Sequence, residues 1–93
     1  MTWNGVEAFD VFVAPAPNQS ADFRVIVTAR DREPAYGHVR IEFGDGTFSP
    51  DVAVAGLRRL SHVYPRPGRY IVRAFLRLPD GTRRETYTEV TVR

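Results

Sequence analysis

The sequence predicts an all-β domain, an antiparallel β-sandwich of about seven strands in two sheets. Three observations carry that expectation. The hydrophobic pattern has a period of two, no segment keeps a helical 3.6-residue period for three turns, and turn-forming residues return at fairly even intervals.

The strands follow from the alternation. Phe23, Val25, Val27 and Ala29 alternate with Arg24, Ile26, Thr28 and Arg30. Val39, Ile41 and Phe43 alternate with His38, Arg40 and Glu42. Tyr70, Val72, Ala74, Leu76 and Leu78 alternate with Ile71, Arg73, Phe75 and Arg77, and Thr88, Val90 and Val92 alternate with Tyr87, Glu89 and Thr91. Successive side chains on a strand point to opposite faces, so this pattern sends one set to a core and the other to water. The expected interior is Val25, Val27, Val39, Ile41, Phe43, Val72, Ala74 and Val90. A first strand is expected over roughly 7–14, and two short strands near Val52–Val54 and Arg58–His62, divided by Gly56.

The turns come from proline's fixed φ and glycine's access to positive φ. Pro15-Ala16-Pro17-Asn18 is expected to close the first strand, and Asp31-Arg32-Glu33-Pro34 with Gly37 the second. Gly44-Asp45-Gly46 follows the third, Pro65-Arg66-Pro67-Gly68 precedes the sixth, and Pro79-Asp80-Gly81 precedes the last. No linker, low-complexity tract or internal repeat interrupts residues 1–93, which read as a single domain.

Composition narrows the function classes. A hydrophobic content of 43% is ordinary for one packed core. There is no cysteine, hence no disulfide, thiolate nucleophile or cysteine-based metal site. All 13 basic residues are arginine, but 11 acidic residues leave a net charge of only +2, which argues against a nucleic-acid binder. No apolar run approaches the roughly 20 residues that span a bilayer, and the first residues lack the basic and apolar stretches of a secretory signal.

Two motifs refine the fold. Ile41-Glu42-Phe43-Gly44-Asp45-Gly46-Thr47 is followed by His62-Val63-Tyr64-Pro65-Arg66-Pro67-Gly68-Arg69-Tyr70-Ile71-Val72. In this order and spacing the pair resembles the PKD (polycystic kidney disease) domain family, whose pattern is close to W-D-F-G-D-G followed by H-x-Y-x-x-P-G-x-Y-x-V. The resemblance extends over 9–92. It departs from the pattern where the family's tryptophan and aspartate are Ile41 and Glu42, which touches fine packing and leaves the fold intact. The resemblance implies an immunoglobulin-like sandwich and a non-catalytic module. Such modules serve protein–protein interaction, adhesion or spacing in exported or cell-surface proteins, or stand beside the catalytic domains of secreted degradative enzymes. It implies an extracellular or cell-surface location; with no signal in the chain, a free-standing protein would stay in the cytoplasm as a scaffold.

The residues of the two motifs read as structural. Glycines 44 and 46 permit the turn, and the Asp45 carboxylate is expected to hold it by accepting backbone N–H bonds, with no other partner required. Tyr70, two residues after Gly68 and just before Val72, has the placement of a tyrosine corner, its phenol reaching back to upstream backbone. Phe43, His62, Tyr64 and Pro67 complete the set. Asp22, Asp31, Glu33, Asp45 and Asp51 match no calcium loop, so no metal is expected. Ser61 and His62 are strand neighbours on opposite faces and make no catalytic pair; neither enzyme activity nor a cofactor is expected. The arginine pairs Arg58-Arg59 and Arg83-Arg84 read as solvated, loosely paired charges.

One surface stands out as a candidate binding face. The outward positions of the third, sixth and seventh strands are expected to carry Arg40, Ile71, Arg73, Phe75, Arg77, Tyr87 and Glu89. Aromatic and aliphatic groups interleaved with arginine are what interface centres favour. The competing reading has arginine stems covering the apolar groups and glutamates pairing with the guanidiniums. Trp3, outside the patterned strands, is expected either to pack on the sandwich edge or to serve as a carbohydrate platform, for which a lone aromatic is thin support. The expected partner is a protein, with a carbohydrate as the alternative. Neither nucleic acid nor membrane insertion is expected, and the isolated domain should be a monomer.

Overall fold

The computed structural model describes residues 7–30 and 33–93. Trp3 and Asp31, singled out above, lie outside them. Seven strands follow one another: β1 (Ala8–Ala16), β2 (Ser20–Thr28), β3 (Tyr36–Glu42), β4 (Val52–Ala55), β5 (Leu57–Val63), β6 (Gly68–Arg77) and β7 (Arg83–Val92). They form two antiparallel sheets, ordered β1-β2-β5 and β4-β3-β6-β7. The short β4 belongs to one sheet and β5 to the other, so the chain changes sheets at Gly56, whose φ of 83° suits glycine. Here the all-β, immunoglobulin-like sandwich expected from the sequence is the fold observed.

The alternation explains the layering. Phe23, Val25 and Val27 of β2 face Val39 and Ile41 of β3 and Val72, Ala74 and Leu76 of β6 across the interior. Every residue of the expected interior is buried. Ile41, standing where the resembled pattern has tryptophan, is fully buried and packs within this cluster. Phe75 is half-buried on the outer side of β6, as its place in the alternation requires. A one-residue slip would have put it inside and turned Ala74 and Leu76 to water.

Two turn expectations need correction. The first strand does not stop at Ala14. It runs through Pro15, paired with Ala21, to Ala16, and the reversal falls on residues 17–19. Proline is tolerated there because β1 is an edge strand with no outer neighbour to receive its missing N–H. Asn18 and Gln19 take the positive φ values, 64° and 58°, without glycine. Gly37, expected in a turn, is instead buried within β3. A Cβ there would stand 2.7 Å from the Leu76 Cδ1 and 3.2 Å from the Arg77 carbonyl oxygen. Its lack of a side chain serves close packing against β6, not a reversal.

Candidate functional site

The two motifs meet at one end of the sandwich and join its sheets. Phe43 leaves β3 and enters the turn of Gly44, Asp45 and Gly46; the Phe43 N–H donates to the Thr47 carbonyl at 3.1 Å. The Asp45 carboxylate accepts from the Thr47 N–H at 3.0 Å and from the Thr47 hydroxyl. It also does what was not foreseen: its Oδ2 lies 2.7 Å from Nε2 of His62, on β5 of the opposite sheet. The aspartate thus does not hold its turn alone, because folding brings an imidazole to its second oxygen. The imidazole stacks flat on Phe43, centroids 3.8 Å apart and planes within 2°. It meets Tyr64 edge-on at 4.7 Å, and Tyr64 stacks on Tyr70 at 4.3 Å.

Hydrogen bonds close this clasp. The buried Tyr64 hydroxyl donates to the Phe43 carbonyl at 2.9 Å. The Tyr70 hydroxyl donates to the Arg66 carbonyl at 2.7 Å, four residues upstream, across the Pro67-Gly68 turn. Burial acts to raise the Asp45 pKa, but the bonds from His62 and Thr47 outweigh it and hold the carboxyl below its ordinary value. Burial, with Asp45 and Tyr70 beside it, pushes the Tyr64 phenol strongly up, so it stays a donor. Ser61 is exposed on the other face of β5 and takes no part. Among the described residues, no three carboxylate, imidazole or thiol groups gather where they would hold a metal ion.

The outer face of the β4-β3-β6-β7 sheet is the second candidate. The register places Arg40 opposite Phe75, Glu42 opposite Arg73, Arg73 opposite Tyr87 and Ile71 opposite Glu89. Arg40, Ile71, Arg73, Phe75, Arg77 and Tyr87 therefore share one surface. Ile71 is 56% and Tyr87 74% exposed. Part of the face is neutralised: Arg69 forms a forked pair with Glu89 at 2.9 Å, and Arg77 reaches Asp51 at 3.1 Å. The Arg40 guanidinium sits 4.7 Å over the Phe48 ring. At the end away from the clasp, this face sinks into a groove lined by His38, Arg40, Phe75, Arg77, Arg83 and Glu85, among others.

Several of these residues escaped sequence reasoning. Thr47 closes the first motif and Asp51 stands among isolated carboxylates, but neither shows its partner, and Phe48 opens a stretch without clear periodicity. Ser49, also there, is buried: its hydroxyl accepts from the Ile41 N–H at 2.8 Å and donates to the Pro50 carbonyl at 2.9 Å.

Comparison with known proteins returns the same architecture. No family model matches the sequence, and no curated protein matches it significantly. Among solved structures, the chain is similar to the PKD1 domain of Vibrio anguillarum Epp, with a TM-score of 0.71 at 19% identity over 91% of this chain and 90% of that one. It is similar to the PKD domain of an M14-like peptidase from a Thermoplasmatales archaeon, with a TM-score of 0.69 at 19% identity and 95% coverage of both chains. A CARDB domain from Pyrococcus furiosus, solved in complex with di-metal ions, gives a TM-score of 0.62 at 15% identity over 99% of this chain and 97% of that one. Strand order, motif placement and these likenesses agree: the chain has the immunoglobulin-like fold of the PKD domains.

Proposed function

We propose that the chain is a non-catalytic, PKD-like module of a larger, exported or cell-surface protein, and that it works by presenting the outer face of the β4-β3-β6-β7 sheet to a partner protein. The observation that carries this reading is the placement of Ile71 and Tyr87, 56% and 74% exposed, beside half-buried Phe75 and among arginines. Large apolar groups with guanidiniums at their flanks suit the centre of an interface better than a purely solvated sheet. The absence of catalysis is supported by the engagement of His62, which is stacked on Phe43 and bonded to Asp45. An imidazole so held is a structural element. A photoreactive residue placed at Ile71 in the producing cells should capture a defined protein, while the same residue at Phe12, on the outer face of the other sheet, should not. Phe75→Ala should weaken that interaction by about 1–3 kcal/mol with little change in melting temperature. Capture from Phe12 alone would assign function to the opposite face.

A further inference from the structure

Three strands put a row of basic residues across the groove end of the outer face. His38, Arg77 and Arg83 stand in register on β3, β6 and β7, and the row contains no carboxylate. Like charges directly opposite on an antiparallel pair are destabilising, and Arg77 and Arg83 are such a pair. Asp51 offsets part of this by reaching Arg77 from the connection before β4. Arg83 makes no ion pair among the described residues. In the next row, Arg40 stands opposite Phe75 and Phe75 opposite Glu85. Both rows line the one groove, so guanidiniums surround a half-buried aromatic floor. The Arg40 guanidinium lies over the Phe48 ring at the margin of this row.

We infer that this groove binds an acidic peptide segment, one carboxylate pairing with Arg83 and the next with Arg40 while an apolar side chain between them lies on Phe75. The inference rests on the partner-binding reading above and names the partner's chemistry. A carboxylate matches the planar fork of a guanidinium, and a charge-assisted pair relieves the Arg77–Arg83 repulsion at the same time. The rim argues against a polyanion. Asp51 and Glu85 line the same groove and would repel a continuous run of sulfates or phosphates, while leaving room for carboxylates spaced by apolar residues.

The test is a nuclear magnetic resonance titration of the whole 15N-labelled chain with acetyl-Leu-Glu-Leu-Glu-Leu-amide. Its glutamine counterpart and a heparin-derived oligosaccharide serve as comparison probes. Saturable shifts are expected at residues 38–40, 75–77 and 83–85, with the glutamine peptide at least about ten-fold weaker. Arg83→Gln and Arg40→Gln should each weaken the acidic peptide by about five-fold or more, and Arg59→Gln, on the other sheet, should leave it unchanged. Equal binding of the glutamine peptide, shifts mapping to the other sheet, or saturation by the oligosaccharide alone would each overturn the proposal. If the photoreactive residue at Ile71 captures a partner but the acidic peptide fails to bind, the carboxylate inference falls and the module reading stands.

Discussion

Strand β6 begins in one kind of chemistry and ends in another. At its start, Tyr70 enters a clasp where Asp45, Thr47, His62, Tyr64 and Arg66 answer one another's donors and acceptors. At its end, Phe75 and Arg77 open onto a groove whose cations outnumber the acids that reach them. The same strand, with the same alternation, serves both ends. The difference lies in what faces it. At the clasp, the Gly44–Gly46 turn packs against the Ile71 backbone and Tyr64 stacks on Tyr70, so the polar groups buried between them have to be paired. On the outer face no strand among the described residues lies over it, and the exposed guanidiniums of Arg73 and Arg77 face solvent. The clasp spends its chemistry on stability; the groove keeps its own available.

That contrast makes graded predictions. The largest effect is expected from Gly44→Ala. Gly44 has a φ of 92°, and a Cβ there would run into the Ile71 backbone carbonyl, which cannot move without disturbing β6. Left-handed strain and overpacking together should cost about 2–5 kcal/mol, measured by urea denaturation. Asp45→Ala comes next, at about 2–3 kcal/mol near neutral pH, because it strands the imidazole and amide donors around a side chain only 4% exposed. The sign of its pH dependence follows from the depressed pKa. The contribution of Asp45 is full above the unfolded value of about 3.9 and is lost as the pH falls through the lower folded value. The stability gap between wild type and Asp45→Ala should therefore narrow below about pH 4; a gap that widens in acid would contradict the clasp.

Tyr70→Phe removes one hydrogen bond at the clasp's outer margin and should cost about 1 kcal/mol. An unchanged denaturation midpoint would show that the Arg66 carbonyl is served equally well by water. The smallest effect is expected from calcium. The similar CARDB domain was solved with di-metal ions, but among the described residues no three carboxylate or imidazole groups gather where they would hold one. Melting temperature should be the same in millimolar calcium and in chelator. An ion present at a hundred times its dissociation constant would add about 2.7 kcal/mol and be plain in the melt.

Much of the fold was legible because the sandwich rewards a local signal. Phe23, Val25 and Val27 declare their face by spacing alone, and Phe75 declares the opposite one. What escaped required two distant segments at once. Asp45 and His62 are separated by 17 positions, one in the turn after β3 and the other on β5 of the opposite sheet, so their bond exists only after the sheets pack. The row of His38, Arg77 and Arg83 likewise requires the β3–β6 and β6–β7 registers together. Gly37 was misread because a glycine beside a proline-containing stretch signals a turn, whereas the demand on it comes from Leu76 of another strand. The early end given to β1 had the converse cause: Pro15 reads as a terminator unless the strand is known to lie at an edge.

Pro15 also bears on how copies of this chain behave toward one another. Two open sheets have four outer strands, here β1, β5, β4 and β7, and each offers unpaired backbone to a neighbouring molecule. Every one of them is blunted. Pro15 deletes a donor from the rim of β1, and β4 is only 4 residues long. β5 shows Arg58 and Arg59 to solvent, and β7 begins with Arg83, Arg84 and Glu85 and lies against β1. Intermolecular strand addition would have to bury these charges or lose a hydrogen bond. Edge-to-edge pairing between copies is thereby disfavoured at each rim.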